Sequence, residues 1–133
     1  MPESKSANSI KCLSLSQPNA WLLFHGRDIQ SLDYLINHKG LIIIHAGKLA
    51  NKRQLKQINL DEMNTPNLAE LPTQAIIGNA EIVSCSWSDE TRAYHWHFSQ
   101  PNLWGKSIPF VAKTILFNIS LDLINSHGID FKM

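Results

Sequence analysis

The sequence predicts an α+β fold, a small β-barrel of five to six strands with two or three short helices. Three stretches carry that expectation. Ala20 to Phe24 is apolar nearly all round and is followed by Gly26, as in a short buried helix with a left-handed stop. Leu41 to Ile44 is a continuous apolar, β-branched run, the mark of a strand buried on both faces. Ala75 to Trp87 is a long strand candidate broken by Gly78-Asn79, where a bulge or sharp coil lets a sheet curl.

The chain has 133 residues, enough for one core and too few for two ordinary domains. Hydrophobic content of 44% and charged content of 17% are globular values, so a packed domain is expected rather than disorder. We divide it into a flexible segment 1–10, a domain 11–126 and a tail 127–133. Net charge is +1, which gives no global electrostatic case for a polyanionic partner. Locally, Lys48, Lys52, Arg53 and Lys56 gather without an acid among them, and Asp61, Glu62, Glu70 and Glu81 follow. Cys12 and Cys85 are isolated thiols outside any CxxC pair, as in a reducing compartment. MPESKSANS lacks the apolar core of a signal peptide, and no apolar run approaches the ~20 residues that span a bilayer. The expectation is a cytoplasmic protein with no membrane partner.

In chain order, Lys11 to Leu15 reads as the first strand, Ser16 as the helix N-cap, and Pro18 as a first-turn residue. Arg27 to Gly40 reads as a polar connection pinned by Tyr34, Leu35 and Ile36. Gly47 reads as a turn, Leu49 to Ile58 as a modest helix, and 59–72 as a loop containing Pro66 and Pro72. In Ala93 to Phe98, Tyr94, Trp96 and Phe98 face one way and His95 and His97 the other. Pro101 to Pro109 reads as a connection, Lys113 to Ile119 as the last strand, and Leu121 to Ser126 as a closing helical turn.

The chemical motifs are sparse. HAGK after a buried strand is not a phosphate loop, because Gly40 to Gly47 is too long for GxxxxGK and Leu49 replaces Ser or Thr. Lys48 at the start of a helix would still suit an anion, against the plainer reading of a solvated lysine. His95 and His97 share a strand face but have no third ligand at diagnostic spacing, so no metal is expected. His45 closes a buried strand and reads first as a satisfied core histidine, second as a cleft residue. No GxSxG, Ser/His/Asp triad or Cys/His couple is marked. Of four tryptophans, Trp21 and Trp96 read as core, while Trp87 and Trp104 lie where a ring could stack on a base.

LSLSQPNAWLLFHGRDIQ and HKGLIIIHAGK together resemble the opening of an ASCH domain, a branch of the PUA-like β-barrel superfamily. Members often read LSxxQPWAxLI, GxKxxExR, an aromatic, then RGxLxIHAxK; Gln17, Pro18, Ala20, Gly26, Gly40, His45, Ala46 and Lys48 fit. ELPTQAIIGNAEIVSC resembles the LPxGAIxGxAEIxxC strand, and YHWHFSQP and SIPFVAKTILFNI the closing pair, so the likeness spans roughly residues 11–120. Dropping one residue after Gly26 places Arg27 on the motif lysine, Gln30 on the glutamate, Leu32 on the arginine and Tyr34 on the tryptophan. Without that gap, Asp28 and Ser31 take the lysine and glutamate places, a poorer match. Asn19 stands where Trp is common, and Val111-Ala112 where a basic residue and glycine are.

Some relatives hydrolyse acylated cytidine and others cut RNA, with the lysine beside a carboxylate or hydroxyl. Arginine stays protonated and glutamine cannot exchange a proton, so the replacements keep charge and hydrogen bonding and lose proton transfer. The resemblance therefore implies binding rather than catalysis, with no cofactor. An RNA- or nucleotide-binding cleft would lie between the first helix and the HAGK turn, built by Gln17, Arg27, Gln30, Tyr34, His45, Lys48 and Trp104. Lys52, Arg53, Lys56 and Lys106 would extend its basic track. The alternative is a small hydrolase, an acylated-cytidine amidohydrolase or metal-independent ribonuclease, using Lys48 with His45, Ser31 or Tyr34. A third reading is a structural partner domain whose pocket is closed by Tyr34, Leu35 and Ile36.

Overall fold

A computed structural model describes residues 9–26, 29–32, 35, 38–50, 70–90 and 92–129, with 29–32 described in backbone only. Six strands and two short helices follow one another: β1 (Ser9–Gln17), α1 (Asn19–Leu23), β2 (Ile29–Leu32), β3 (Gly40–Leu49), β4 (Ala75–Ser88), β5 (Ala93–Pro109), β6 (Leu116–Ser120) and α2 (Leu121–Ser126). They form one mixed sheet in the order β2-β5-β4-β3-β1-β6. Only β1 and β3 pair in parallel; the other neighbours are antiparallel. Among the described residues β2 and β6 remain the ends of the sheet, and no pairing closes it.

Period-two alternation along β3 sorts its side chains between two cores. Ile42, Ile44 and Ala46 join Leu13, Leu15, Ala20, Leu23, Ile77, Ala80, Ile82, Trp96 and Phe98 on one face. Leu41 and Ile43 turn to the other, with Ile10, Cys12, Ile76, Ile108, Ile119 and Ile124. α1 therefore covers the first face, and α2 with Phe110 and Phe117 covers the second. This explains why Leu41–Ile44 has no polar side. Cys12 and Cys85 pack in different cores, and no disulfide joins them.

Several sequence expectations are corrected. β1 runs two residues past each end of Lys11–Leu15. No side chain of the Ncap residue caps α1: Pro18 occupies that place, Ser16 accepts from Asn19 Nδ2, and Gln17 Oε1 takes the Trp21 N–H at 3.0 Å. The connection 27–40 contains β2, which pairs with β5 from Ile29↔His97 to Leu32↔Tyr94. Lys48 and Leu49 belong to β3, so Gly47 is a strand residue, and no helix begins at Lys48. Residues 51–58 of the expected helix lie outside the described residues.

Pro101–Pro109 is not a connection but the second half of β5. Pro101 escapes the usual penalty in a sheet because the β4–β5 register shifts between Asn79↔Asn102 and Glu81↔Ser99, leaving it outside the paired positions. The last strand begins at Leu116 rather than Lys113. α2 spans Leu121–Ser126 as expected, with the Ser120 hydroxyl accepting from Asp122 N.

The bulge or coil expected at Gly78-Asn79 falls beside the pair: both residues are paired, and the register shifts just before and just after them. A Cβ on Gly78 would run into the Asn102 carbonyl oxygen and the Phe24 ring. Asn79 Oδ1 then accepts from Trp104 Nε1 at 2.8 Å and from Asn102 Nδ2 at 3.3 Å, tying the coiled part of β5 to β4. Gly78→Ala should cost about 1–3 kcal/mol, because backbone and a packed ring must both move. Urea denaturation checks it: the midpoint falls while the slope is unchanged.

Candidate functional site

The β1–β3 register sets Ser14 directly beside His45. Their side chains point to the second core face, the face of Cys12 and Ile43. Ser14 Oγ lies 2.9 Å from His45 Nδ1, and His45 Nε2 lies 2.6 Å from the Phe110 carbonyl oxygen. That carbonyl can only accept, so Nε2 carries the proton. Nδ1 of the neutral ring then accepts from the Ser14 hydroxyl. Phe110 and Phe117 stack on each other and meet the imidazole edge-on at 6.2 and 5.8 Å. Nothing of His45 is exposed. Burial pushes its pKa below the ordinary 6.5, with the Phe110 hydrogen bond opposing that shift.

Beside this pair opens a cavity of about 230 Å³ walled by Ser14, His45, Gly47, Lys48, Gln74 and the segment Ala112–Ile115, which includes Lys113. A β1–β3 irregularity shapes one side of it. On β1, Ser16 alone faces Gly47 and Lys48, because the register shifts between Leu15↔Ala46 and Gln17↔Leu49. Such irregularities re-aim side chains out of the strict alternation. A Cβ on Gly47 would stand 2.9 Å from Ser14 Oγ, so the missing side chain keeps room for that hydroxyl.

Among the described residues the wall carries two exposed lysines, Lys48 and Lys113, and no carboxylate. Gln74, held at a positive φ of 52°, presents a buried Oε1 that finds no hydrogen-bond donor among the described residues. A cationic cavity with an unused acceptor suits an anionic ligand that also bears an N–H or O–H group.

The residues expected at the site separate into groups. His45 and Lys48 share the cavity wall. Gln17 does not: it is fully buried and clasps the chain, its Nε2 donating to the Pro72 carbonyl at 2.8 Å while Oε1 holds α1. Trp104 is half-buried against the second core with its N–H on Asn79. Lys106 lies at the end of α2, its Nζ 3.1 Å from where a Cβ on Gly128 would stand. Gln30 and Ser31 are placed on β2 by their backbone, opposite Trp96 and His95. Arg27, Tyr34, Lys52, Arg53 and Lys56 lie outside the described residues. Leu35 is exposed.

Ser14, Gln74 and Lys113 were not singled out by the sequence. Their signal is weak: the Ser14–His45 contact depends on a parallel register across thirty-one positions, which no local pattern encodes. Among the described residues no three His, Cys, Asp or Glu side chains gather to hold a metal ion, and no helix is long and apolar enough to cross a membrane. No protein-family model matches the chain, and no curated protein matches it in sequence.

The buried imidazole makes stability depend on acid. Its folded pKa is depressed, so the unfolded chain binds the proton more readily. The contribution is fully present above the unfolded value near 6.5 and is lost as pH falls below it, until the folded ring itself protonates. Among the described residues the charged groups of the cavity wall are Lys48 of β3 and Lys113 of the β5–β6 connection, both of which oppose imidazolium, while Ser14, Phe110 and Phe117 contact the ring. The unfolding free energy from urea titration should drop between pH 7 and pH 5, by up to ~1.4 kcal/mol per pH unit for one proton. In His45→Gln that component of the slope should vanish.

Proposed function

We propose that the chain is an ASCH-like domain of the PUA-like superfamily, its curled sheet a barrel of that type, and that it binds RNA or a nucleotide. The supporting observation is the cavity in which Lys48 and Lys113 supply positive charge, Gln74 Oε1 an unused acceptor and His45 a buried polar floor. At about 230 Å³ it is smaller than the 300–1,000 Å³ typical of whole-ligand pockets. It takes one phosphate or one splayed base of a longer chain. Single-stranded RNA offers both, because its unstacked bases and phosphates are accessible. Arg27, Lys52, Arg53 and Lys56 would add charge in this reading, and a cytoplasmic location goes with it.

Binding of this kind is strongly salt-dependent, since each neutralised phosphate on a single strand contributes about −0.7 to the log–log slope. Titration of a fluorescent single-stranded RNA at several salt concentrations tests it. Lys48→Ala with Lys113→Ala should weaken binding and flatten the slope by roughly 1.4, two contacts' worth. Wild-type protein that leaves the RNA unbound at low salt would end this reading.

A further inference from the structure

The Ser14–His45 pair has the arrangement of an activated nucleophile, and it opens on a cavity that ligand binding alone does not require. We propose that Ser14 is an acyl-accepting nucleophile for a small anionic ester, with His45 as its base and the Phe110 carbonyl as the group that orients the ring. This goes beyond the RNA reading and does not rest on it.

Three observations place the parts. The nucleophile and base are within hydrogen-bond reach at 2.9 Å, and the base is held from behind at 2.6 Å. The Nε2 proton is committed to Phe110, so the nitrogen facing Ser14 is the one free to accept a proton. Ser14 belongs to the cavity wall with Lys48 and Lys113, and the fully buried His45 lies directly behind it. Gly47 matters here because any larger residue would crowd Oγ.

The chemistry balances with water as the only co-reactant. Ser14 Oγ attacks the ester carbonyl carbon as its proton passes to His45 Nδ1, forming the C–O bond of a tetrahedral adduct. The adduct collapses, the bond to the leaving alcohol breaks, and that alcohol takes the proton from His45. Water then attacks the acyl-serine, delivering its proton to His45 Nδ1; the bond to Oγ breaks, Oγ takes that proton back, and the acid leaves with Ser14 and His45 restored. The lysines favour an anionic substrate and the oxyanion of each adduct.

Cys12 is no competitor for an electrophile, because it is fully buried and its thiol is pushed well above the usual range. The probe is an alkyl fluorophosphonate, read by intact mass and peptide mapping of the full chain. Oγ attacks phosphorus, fluoride leaves, and one phosphonyl group should be found per chain, on Ser14. Ser14→Ala should abolish the adduct with the fold unchanged by circular dichroism. His45→Gln should slow labelling by on the order of 10²-fold or more. Should that variant unfold, the wild-type pH profile decides: the labelling rate should rise through a midpoint below 6.5 and then stay level.

A rate that climbs steadily into alkali, or a folded wild type left unlabelled at Ser14, would overturn the proposal. Labelling of a protein that ignores RNA would refute only the binding reading. RNA binding by a protein inert to the probe would refute only this one.

Discussion

The structure around the cavity depends on one constraint, the parallel alignment of β1 with β3 that brings Ser14 against His45. A buried imidazole needs both nitrogens satisfied, and leaving one bare costs about 1–3 kcal/mol. Here a hydroxyl meets one nitrogen and a main-chain carbonyl the other, from two different segments. A slip of one residue would turn Ser14 into the opposite core and expose Leu13 or Leu15 to the cavity. The pair therefore fixes register between β1 and β3 and anchors the connection at Phe110. The cavity lies where those three segments meet.

That position explains why a nearly neutral protein can hold a cationic site. Lys48 sits in a bulge at the end of β3, and Lys113 on the short connection that Phe110 pins down. Neither needs a helix N-terminus, and none of the residues of α1 forms part of the wall. The positive charge thus comes from one strand irregularity and one connection. The same irregularity gives Ser14 its room, through Gly47.

Much of the fold was legible because local chemistry determines it. The positive φ of Gly26, +112° in the turn after α1, and the close backbone approach at Gly78 follow from residues whose backbone needs are specific. The doubly buried Leu41–Ile44 follows from having no polar side. What could not be read depended on distant partners. Pro101 and Gly105 look like punctuation, yet β5 continues through both because irregular pairing with β4 leaves them without a ladder role. His45 was legible as a satisfied core histidine and as a cleft residue; the structure makes it both. Ser14, a polar residue in an alternating strand, could not be distinguished from a solvent-facing serine until its neighbour was known.

The most direct measurement is the imidazole ¹⁵N spectrum of His45 across pH. A neutral ring protonated on Nε2, with Nδ1 shifted by an accepted hydrogen bond that Ser14→Ala removes, is the expected result. A ring protonated on Nδ1, or one exchanging freely between tautomers, would contradict the alignment of β1 and β3 on which the site stands.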